Sequence, residues 1–262
     1  MTPIDSLKDQ IRSSVRRRGV PGAIRSFLVN RFQRILIISH DTLHRAYWTV
    51  YSILFQKPLL YAIGDSHVLT FKRCPRFIVY HLGPATAHNL GKPGNTTRSR
   101  ERLFDLLRRL NRRNGLIMLM FGEIDCRIHF YNQYMKHEKK HPLSQFIDDT
   151  ISKYMGVLGE VQQLGIDFFV CGIPPAGRQG NAYGYIHYAD PQTRSLIYRE
   201  FNEKLEHACA GRGIRYLNIY SKTAGPDGFT RAEYLSDDDV HLKQNTHRFI
   251  SEWIEKTRPI DI

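Results

Sequence analysis

Residues 59–67 read Leu-Leu-Tyr-Ala-Ile-Gly-Asp-Ser-His, a largely apolar run that leads directly into a Gly-Asp-Ser turn. Further short apolar or β-branched runs occupy residues 77–82, 116–121, 168–171 and 214–219. Near-continuous apolar strands that alternate with helices are typical of a parallel sheet covered on both faces. We therefore predict an α/β fold, a three-layer α/β/α sandwich around a central, mostly parallel five-stranded sheet.

The segments between these runs carry apolar side chains at three- and four-residue spacing, which predicts amphipathic helices. They cover residues 99–113, 143–164, 193–209 and 242–256. Neither an internal repeat nor a linker interrupts residues 58–262. We therefore expect these residues to form one domain.

The composition excludes several classes of protein. The chain of 262 residues is 42% hydrophobic and 11% aromatic, which is too apolar for a disordered protein. The longest apolar run, at residues 46–56, is shorter than the roughly 18 residues of a spanning helix. No signal-peptide pattern follows the three Arg at residues 16–18, so we expect a cytoplasmic protein. Its four Cys are too widely spaced for a metal site and too few for a disulfide scaffold, and we expect Cys171 and Cys209, which end patterned segments, to be reduced core residues.

The positive charge is concentrated near the N-terminus. Residues 1–57 contain ten Lys and Arg against three Asp, a net +7 of the +13 for the whole chain. Apolar residues interleave with these charges and a break falls at residues 19–22, so we predict a basic amphipathic helical extension. Such an extension could attach peripherally to a membrane surface or dock on a protein partner, and it argues against nucleic acid. Helices that pack on the core with a solvated basic face remain the alternative.

Polar residues follow the predicted strands. Gly64-Asp65-Ser66 comes after the first, Gly83 after the second and residues 122–127 after the third, while residues 236–241 lie beyond the fifth. Parallel sheets of this type bind ligands beyond the carboxyl ends of their strands. We therefore expect these residues to converge at one edge of the sheet.

The residue types at this edge suit nucleophilic catalysis. A Ser66 hydroxyl becomes a good nucleophile when a base such as His241 removes its proton. Asp238 lies three residues before His241, close enough to accept the Nδ1 proton and fix the tautomer. Asp237 and Asp239 are rival partners. A solvated acidic loop before the final helix is the alternative to any catalytic role.

The motifs Gly64-Asp65-Ser66 and Asp238-Asp239-Val240-His241, in this order, resemble those of the SGNH (GDSL-type) hydrolase family. The resemblance spans residues 58–257, and the phrases at residues 64–67, 83–87 and 122–127 resemble a bacterial subgroup associated with polysaccharide or surface-glycan genes. It implies a flavodoxin-like sheet with Ser66 as nucleophile, His241 as base and Asp238, by its spacing, as the residue that orients His241.

The resemblance also implies a function. We expect a serine esterase that hydrolyses an acyl ester, with acetyl favoured, on an acylated carbohydrate or similar polar substrate. We expect no cofactor, since no nucleotide-binding glycine loop occurs, and no metal, since the Cys lack metal-type spacing. An acyltransferase of the same fold and a non-catalytic module that binds a glycan or a partner stay open.

The oxyanion hole departs from the family pattern. The resemblance implies backbone N–H donors from Ser66 and Gly83, but Ile124 stands where the family has a third donor, an Asn. Arg127 or Asn89 could replace that donor. The other residues expected to support the site are Asp65, Gly122, Glu123 and Asp125. An ion-pair network of Glu123 and Asp125 with Arg127 is an equally open interpretation.

Two histidine features receive other interpretations. Residues 137–141 spell the zinc-protease pattern H-E-x-x-H, but three Lys crowd them and Pro142 follows, so we predict a solvated basic loop. His67 directly follows Ser66, and we expect its side chain to point away from the site.

Overall fold

The computed structural model describes residues 40–110, 115–179 and 188–257. The chain divides into two compact units, Met1–Val50 and Tyr51–Ile262. Helix α1 covers residues 40–55. The remainder of the predicted extension, including the break at residues 19–22, lies outside the described residues, and the boundary at residue 57 stays a prediction.

The described residues form one parallel sheet, as predicted. Its strands are β1 (Leu59–Gly64), β2 (Phe77–His81), β3 (Gly115–Met120), β4 (Phe168–Cys171) and β5 (Tyr216–Leu217), in the order β2-β1-β3-β4-β5. Strand β5 is shorter than the predicted run at residues 214–219. The side chain of Asn218 accepts the backbone N–H of Ser221 at 2.9 Å and so starts a helix where the strand was expected to continue.

Helices separate the strands. They are α2 (Ala87–Leu90), α3 (Ser99–Arg109), α4 (Phe130–Lys136), α5 (Leu143–Gln163), α6 (Pro191–Ala210), α7 (Ile219–Thr223) and α8 (His247–Thr257). Two 3-10 helices (Ser66–Phe71 and Gln244–Thr246) and one π-helix (Asp125–His129) complete the described structure. Helix α8 begins five residues later than predicted because Leu242 forms an antiparallel bridge with Leu235. Within the described part of the chain, no helix is both long and apolar enough to cross a membrane.

Two hydrophobic cores cover the two faces of the sheet. Alternate residues of β3 enter different cores, as Ile117 and Leu119 do on one side and Met118 on the other. The first core contains Leu103, Ile151 and Phe201 from α3, α5 and α6, and the second contains Phe71 and Ile250 from the first 3-10 helix and α8. The three-layer α/β/α prediction is confirmed, and all four Cys are free and buried, as expected for Cys171 and Cys209.

The register aligns the ends of the first three strands. Gly64 of β1 lies opposite His81 of β2 and Met120 of β3. The residues that follow these three positions therefore emerge side by side at the carboxyl edge of the sheet.

Candidate active site

Ser66 lies at the start of a 3-10 helix, immediately beyond β1. The turn is tight, because a Cβ atom on Gly64 would lie 2.2 Å from the backbone oxygen of Met120. The Asp65 side chain caps the helix by accepting the backbone N–H of His67 at 2.9 Å. Burial, together with the nearby charge of Glu123, raises the pKa of the Asp65 carboxyl well above its usual value.

A chain of hydrogen bonds joins three of the predicted site residues. The Nε2 atom of His241 lies 2.9 Å from Oγ of Ser66, and its Nδ1 atom lies 2.6 Å from Oδ2 of Asp238. The backbone N–H of His241 donates to Oδ1 of the same carboxylate at 2.9 Å. The structure thus brings together Ser66, His241 and Asp238 although 175 residues separate the first two.

The loop that carries Asp238 is held as a small hairpin, in which the N–H of Ser236 donates to the carbonyl of His241 at 2.8 Å. Burial alone would raise the pKa of Asp238, but the hydrogen bonds from the backbone and ring of His241 lower it below its usual value. The rival carboxylates lie elsewhere: Asp239 accepts the N–H of Gln179 at 2.8 Å, and Asp237 is exposed.

The predicted oxyanion donors occupy different places. Gly83 follows β2 at the edge that carries Ser66 and has a left-handed φ of 78°, which favours glycine. Ile124, at the position of the family's Asn, lies half-buried just before the π-helix. Asn89 lies on α2 and lines a polar cavity between α2 and α5.

Glu123 is the centre of a buried polar network. Its Oε1 atom accepts Nε–H of Arg127 and the hydroxyl of Tyr198, each at 2.7 Å, and its Oε2 atom lies 3.6 Å from Nε2 of His67. Burial would raise the pKa of Glu123, but His67 and the Arg127 guanidinium together lower it below its usual value. The ion pair between Glu123 and Arg127 that we left open from the sequence is therefore formed, with both side chains buried.

His67 contradicts the prediction that its side chain points away from the site. It is buried, and its ring centroid lies 4.7 Å from that of His241, with 38° between the planes. His67 is the second residue of the 3-10 helix, and its backbone N–H is held by the side chain of Asp65. Tyr198, which lies on α6, was missed entirely, since nothing in its local sequence links it to Glu123.

Asp125 ties two loops of the site together. Its Oδ2 atom accepts the N–H of Ala87 at 2.7 Å and its Oδ1 atom accepts the N–H of His88 at 3.4 Å. Burial raises the pKa of this carboxyl to about 7. Asp125 thus pairs with backbone groups of the second loop, and the direct partner of Arg127 is Glu123.

The H-E-x-x-H segment does not have the helical form that a zinc protease requires. Helix α4 ends at Lys136, and Glu138 and Lys139 have left-handed φ values of 52° and 61°. Both His137 and His141 are exposed. Across residues 40–110, 115–179 and 188–257, no group of three or more His, Cys, Asp and Glu side chains could hold a metal ion.

Sequence comparison assigns the chain to a family. The sequence model of the GDSL-like lipase/acylhydrolase family matches residues 60–254. The chain belongs to this family. It is therefore an enzyme that hydrolyses ester bonds, and Gly64-Asp65-Ser66 matches the first three residues of the Gly-Asp-Ser-Leu sequence in the family's name, with His67 in the place of Leu.

Solved structures show the same fold. A GDSL-like lipase from Bacteroides thetaiotaomicron is 14% identical, with a TM-score of 0.51 over 82% of this chain and 98% of that chain. A candidate acylhydrolase from Bacteroides fragilis is 15% identical, with a TM-score of 0.50 over 77% of this chain and 88% of that chain. No curated protein sequence matches this GDSL enzyme.

Proposed function

We propose that the protein is a serine esterase that removes a small acyl group, acetyl above all, from a carbohydrate or similar polar molecule. The observation that carries this proposal is the hydrogen-bonded series from Ser66 through His241 to Asp238. These contacts have the distances that a nucleophile, a general base and an orienting carboxylate require.

The proposed reaction has two steps. The Oγ atom of Ser66 attacks the ester carbonyl carbon while Nε2 of His241 takes the hydroxyl proton. The ester C–O bond breaks, and the leaving alcohol takes that proton from His241, which leaves an acyl group on Ser66. Water, deprotonated by His241, then attacks the acyl carbon, the bond from that carbon to Oγ of Ser66 breaks, and Oγ takes the proton back from His241 as the carboxylic acid leaves.

Asp238 supports both steps by holding the ring of His241. Because it accepts a hydrogen bond from Nδ1, the tautomer that it favours leaves Nε2 free to accept the proton of Ser66. The carboxylate also stabilises the imidazolium that forms as the proton transfers. Its lowered pKa keeps Asp238 ionised throughout the neutral range.

The oxyanion that forms on the carbonyl oxygen needs hydrogen-bond donors. We propose the backbone N–H groups of Ser66 and Gly83, which follow neighbouring, aligned strands. Arg127 is proposed as the third contributor, in place of the family's Asn. The preference for a polar substrate is supported by the polar cavity that begins at Thr86, three residues after Gly83.

Hydrolysis of a small activated acetyl ester tests the proposal. We expect Ser66→Ala to lower turnover by at least about 10⁴-fold, because it removes the nucleophile. Steady-state kinetics and a thermal melt should be recorded for both proteins. The melt should change little, since Ser66 is only half-buried.

Ser251→Ala is the matched control, because it removes a half-buried hydroxyl from α8 and should keep full turnover. Equal turnover by the wild type and Ser66→Ala would reject the serine-esterase proposal. Transfer of acetyl to an added sugar, in preference to water, would identify the protein as an acyltransferase.

A further inference from the structure

His67 is a buried histidine that the proposed reaction does not use. Its ring centroid lies 4.7 Å from that of His241, and its side chain is 1% exposed. The ring of His241 is held at its two nitrogens, by Ser66 and by Asp238. These two hydrogen bonds leave the ring free to tilt about the line that joins the nitrogens. A second ring packed against it restricts that tilt.

The position of His67 is itself fixed from two directions. Its backbone N–H donates to Oδ1 of Asp65 at 2.9 Å, and its Nε2 atom lies 3.6 Å from Oε2 of Glu123. Glu123 is held in turn by Nε–H of Arg127 and by the hydroxyl of Tyr198, each at 2.7 Å. The ring of His67 therefore rests against a buried network that reaches α6.

A histidine is a costly residue at this position. Its separation of 3.6 Å from the carboxylate is longer than an ordinary hydrogen bond, and neither ring nitrogen has a closer polar partner in the described part of the chain. Burying a polar group in this way costs free energy, whereas burying an aliphatic side chain stabilises the fold. Leu, the fourth residue of the Gly-Asp-Ser-Leu sequence, would therefore serve stability better. The contact with His241 indicates what the imidazole does instead.

The ring of His67 is neutral at pH 7. Burial lowers its pKa below the usual value, Glu123 opposes this in part, and the charges of His241 and Arg127 lower it further. Glu123 brings no net charge to the contact, because its carboxylate is paired with the Arg127 guanidinium. His241 thus has a neutral aromatic ring as its neighbour.

A neutral ring suits the charge that the reaction places on His241. The imidazole becomes an imidazolium when it takes the proton of Ser66. Aromatic rings attract a cation within about 6 Å of their centroid, and the separation of 4.7 Å lies inside that range. A second positive charge on His67 would instead oppose the proton transfer.

Other ionisable groups also surround the two rings. They are Asp65, His81, Glu123, Arg127, Asp238 and Asp239. Asp238 acts most directly, since it accepts the Nδ1 proton of His241 at 2.6 Å. A substitution at His67 replaces none of these groups. A change in the titration of His241 therefore reports on the ring that was removed.

We propose that His67 is a positioning residue, whose ring holds His241 in its reactive orientation and stabilises the imidazolium that forms there. The role of His241 as the base rests on the proposed function, whereas the contact between the two rings does not. His67 acts on the reaction through His241.

Proton NMR titration of the full chain tests the electrostatic effect without any substrate. The ring signal of His241 is assigned by its absence from the spectrum of His241→Gln. We expect His67→Leu to move the midpoint of this titration to lower pH by about 0.5, because an aliphatic neighbour stabilises the imidazolium less than a neutral ring does. His67→Gln also lacks the ring and takes the place of His67→Leu if that variant is unfolded.

Phe71→Leu is the matched control, because it replaces another buried ring of the same 3-10 helix, one that packs in the second core. It should leave the midpoint where it is in the wild type. An unmoved midpoint in His67→Leu, or an equal movement in Phe71→Leu, would overturn the proposal. Movement to higher pH would show that His67 carries a charge, and it would overturn the proposal as well.

Hydrolysis of an activated acetyl ester measures the positioning effect. We expect His67→Leu to lower kcat by about ten-fold with little change in KM, and the acid limb of kcat/KM to follow the NMR midpoint. His67→Phe keeps a ring and should recover part of the kcat. An unchanged kcat in His67→Leu would overturn the positioning role. If the wild type hydrolysed no ester, the proposed function would fail, while the NMR titration would still decide whether His67 acts on His241.

Discussion

Arg127 combines a structural contact with a proposed catalytic one. Its Nε–H group is bonded to Glu123, and both side chains are buried. A buried carboxylate that loses its partner is strongly destabilising, by about 3–5 kcal/mol. The same guanidinium is the proposed replacement for the Asn that Ile124 displaces.

Arg127→Ala separates the two roles. We expect a lower melting temperature from the unpaired Glu123, and a turnover per folded molecule lower by about 10²-fold with little change in KM. Arg127→Lys should restore only part of the turnover, because an ammonium group lacks the planar fork of donors. Thermal melts and steady-state kinetics, recorded well below the melting temperature, measure both effects.

Arg108→Ala is the control, since that Arg pairs with Asp105 on the exposed face of α3. We expect Arg108→Ala to change neither the melting temperature nor the turnover appreciably. Full turnover in a destabilised Arg127→Ala protein would show that Arg127 acts only through Glu123.

Single residues were predictable where spacing carries the chemistry. The contact between Asp238 and His241 follows from three residues of separation in a tight turn, and the structure contains it. The contact of Glu123 with Tyr198 could not be predicted from the sequence, because Tyr198 lies on a helix 75 residues further along the chain. The contact of His67 with His241 depends on the backbone turn after Ser66, which residue types alone do not specify.

At the scale of the elements, Gly64 links β1 to the turn that presents Ser66. A Cβ atom there would lie 2.2 Å from the backbone oxygen of Met120 and 2.6 Å from Cγ1 of Val68. The backbone of β3 cannot move away from such an atom as the end of a flexible side chain could. A glycine is therefore required at position 64, where the end of β1 lies against Met120 of β3.

Gly64→Ala should lower the free energy of unfolding by about 1–3 kcal/mol, as overpacking does elsewhere, and should reduce turnover because the turn at Ser66 shifts. Gly156→Ala is the opposite control: this Gly lies exposed within α5, and an added Cβ atom would meet no atom outside the local helix backbone within 4 Å. It should raise stability by up to about 1 kcal/mol. Urea unfolding measures both, and an equally stable Gly64→Ala protein would contradict the close packing.

The elements themselves were largely predictable, because continuous apolar runs of four to six residues mark buried parallel strands. Strand β4 has the predicted bounds, β1 ends one residue later than the predicted run at residues 59–63, β2 ends one residue earlier, and β3 both begins and ends one residue earlier. The predicted length of β5 was too great, because the apolar run continues beyond the strand into α7. Periodicity did not reveal the bridge at Leu242, because it depends on pairing with Leu235.

At the scale of the whole molecule, the parallel sheet explains why residues from distant parts of the chain meet. The aligned ends of β1, β2 and β3 deliver Ser66, Gly83 and Glu123 to one edge, and the hairpin before α8 brings His241 to them. Apolar runs show that strands exist but not which ones are neighbours; the observed order β2-β1-β3-β4-β5 is that of the flavodoxin-like sheet that the family resemblance implied. The polar cavity was not predicted, since α2, α4 and α5 contribute residues from separate segments.

The central claim is that Ser66, activated by His241, is the nucleophile. Labelling with a serine-directed fluorophosphonate tests this most directly, because the reagent bonds covalently to an activated serine. Intact mass should show one adduct per chain, peptide mapping should place it on Ser66, and His241→Ala should abolish it. An unlabelled wild type, or an adduct on another residue, would contradict the account.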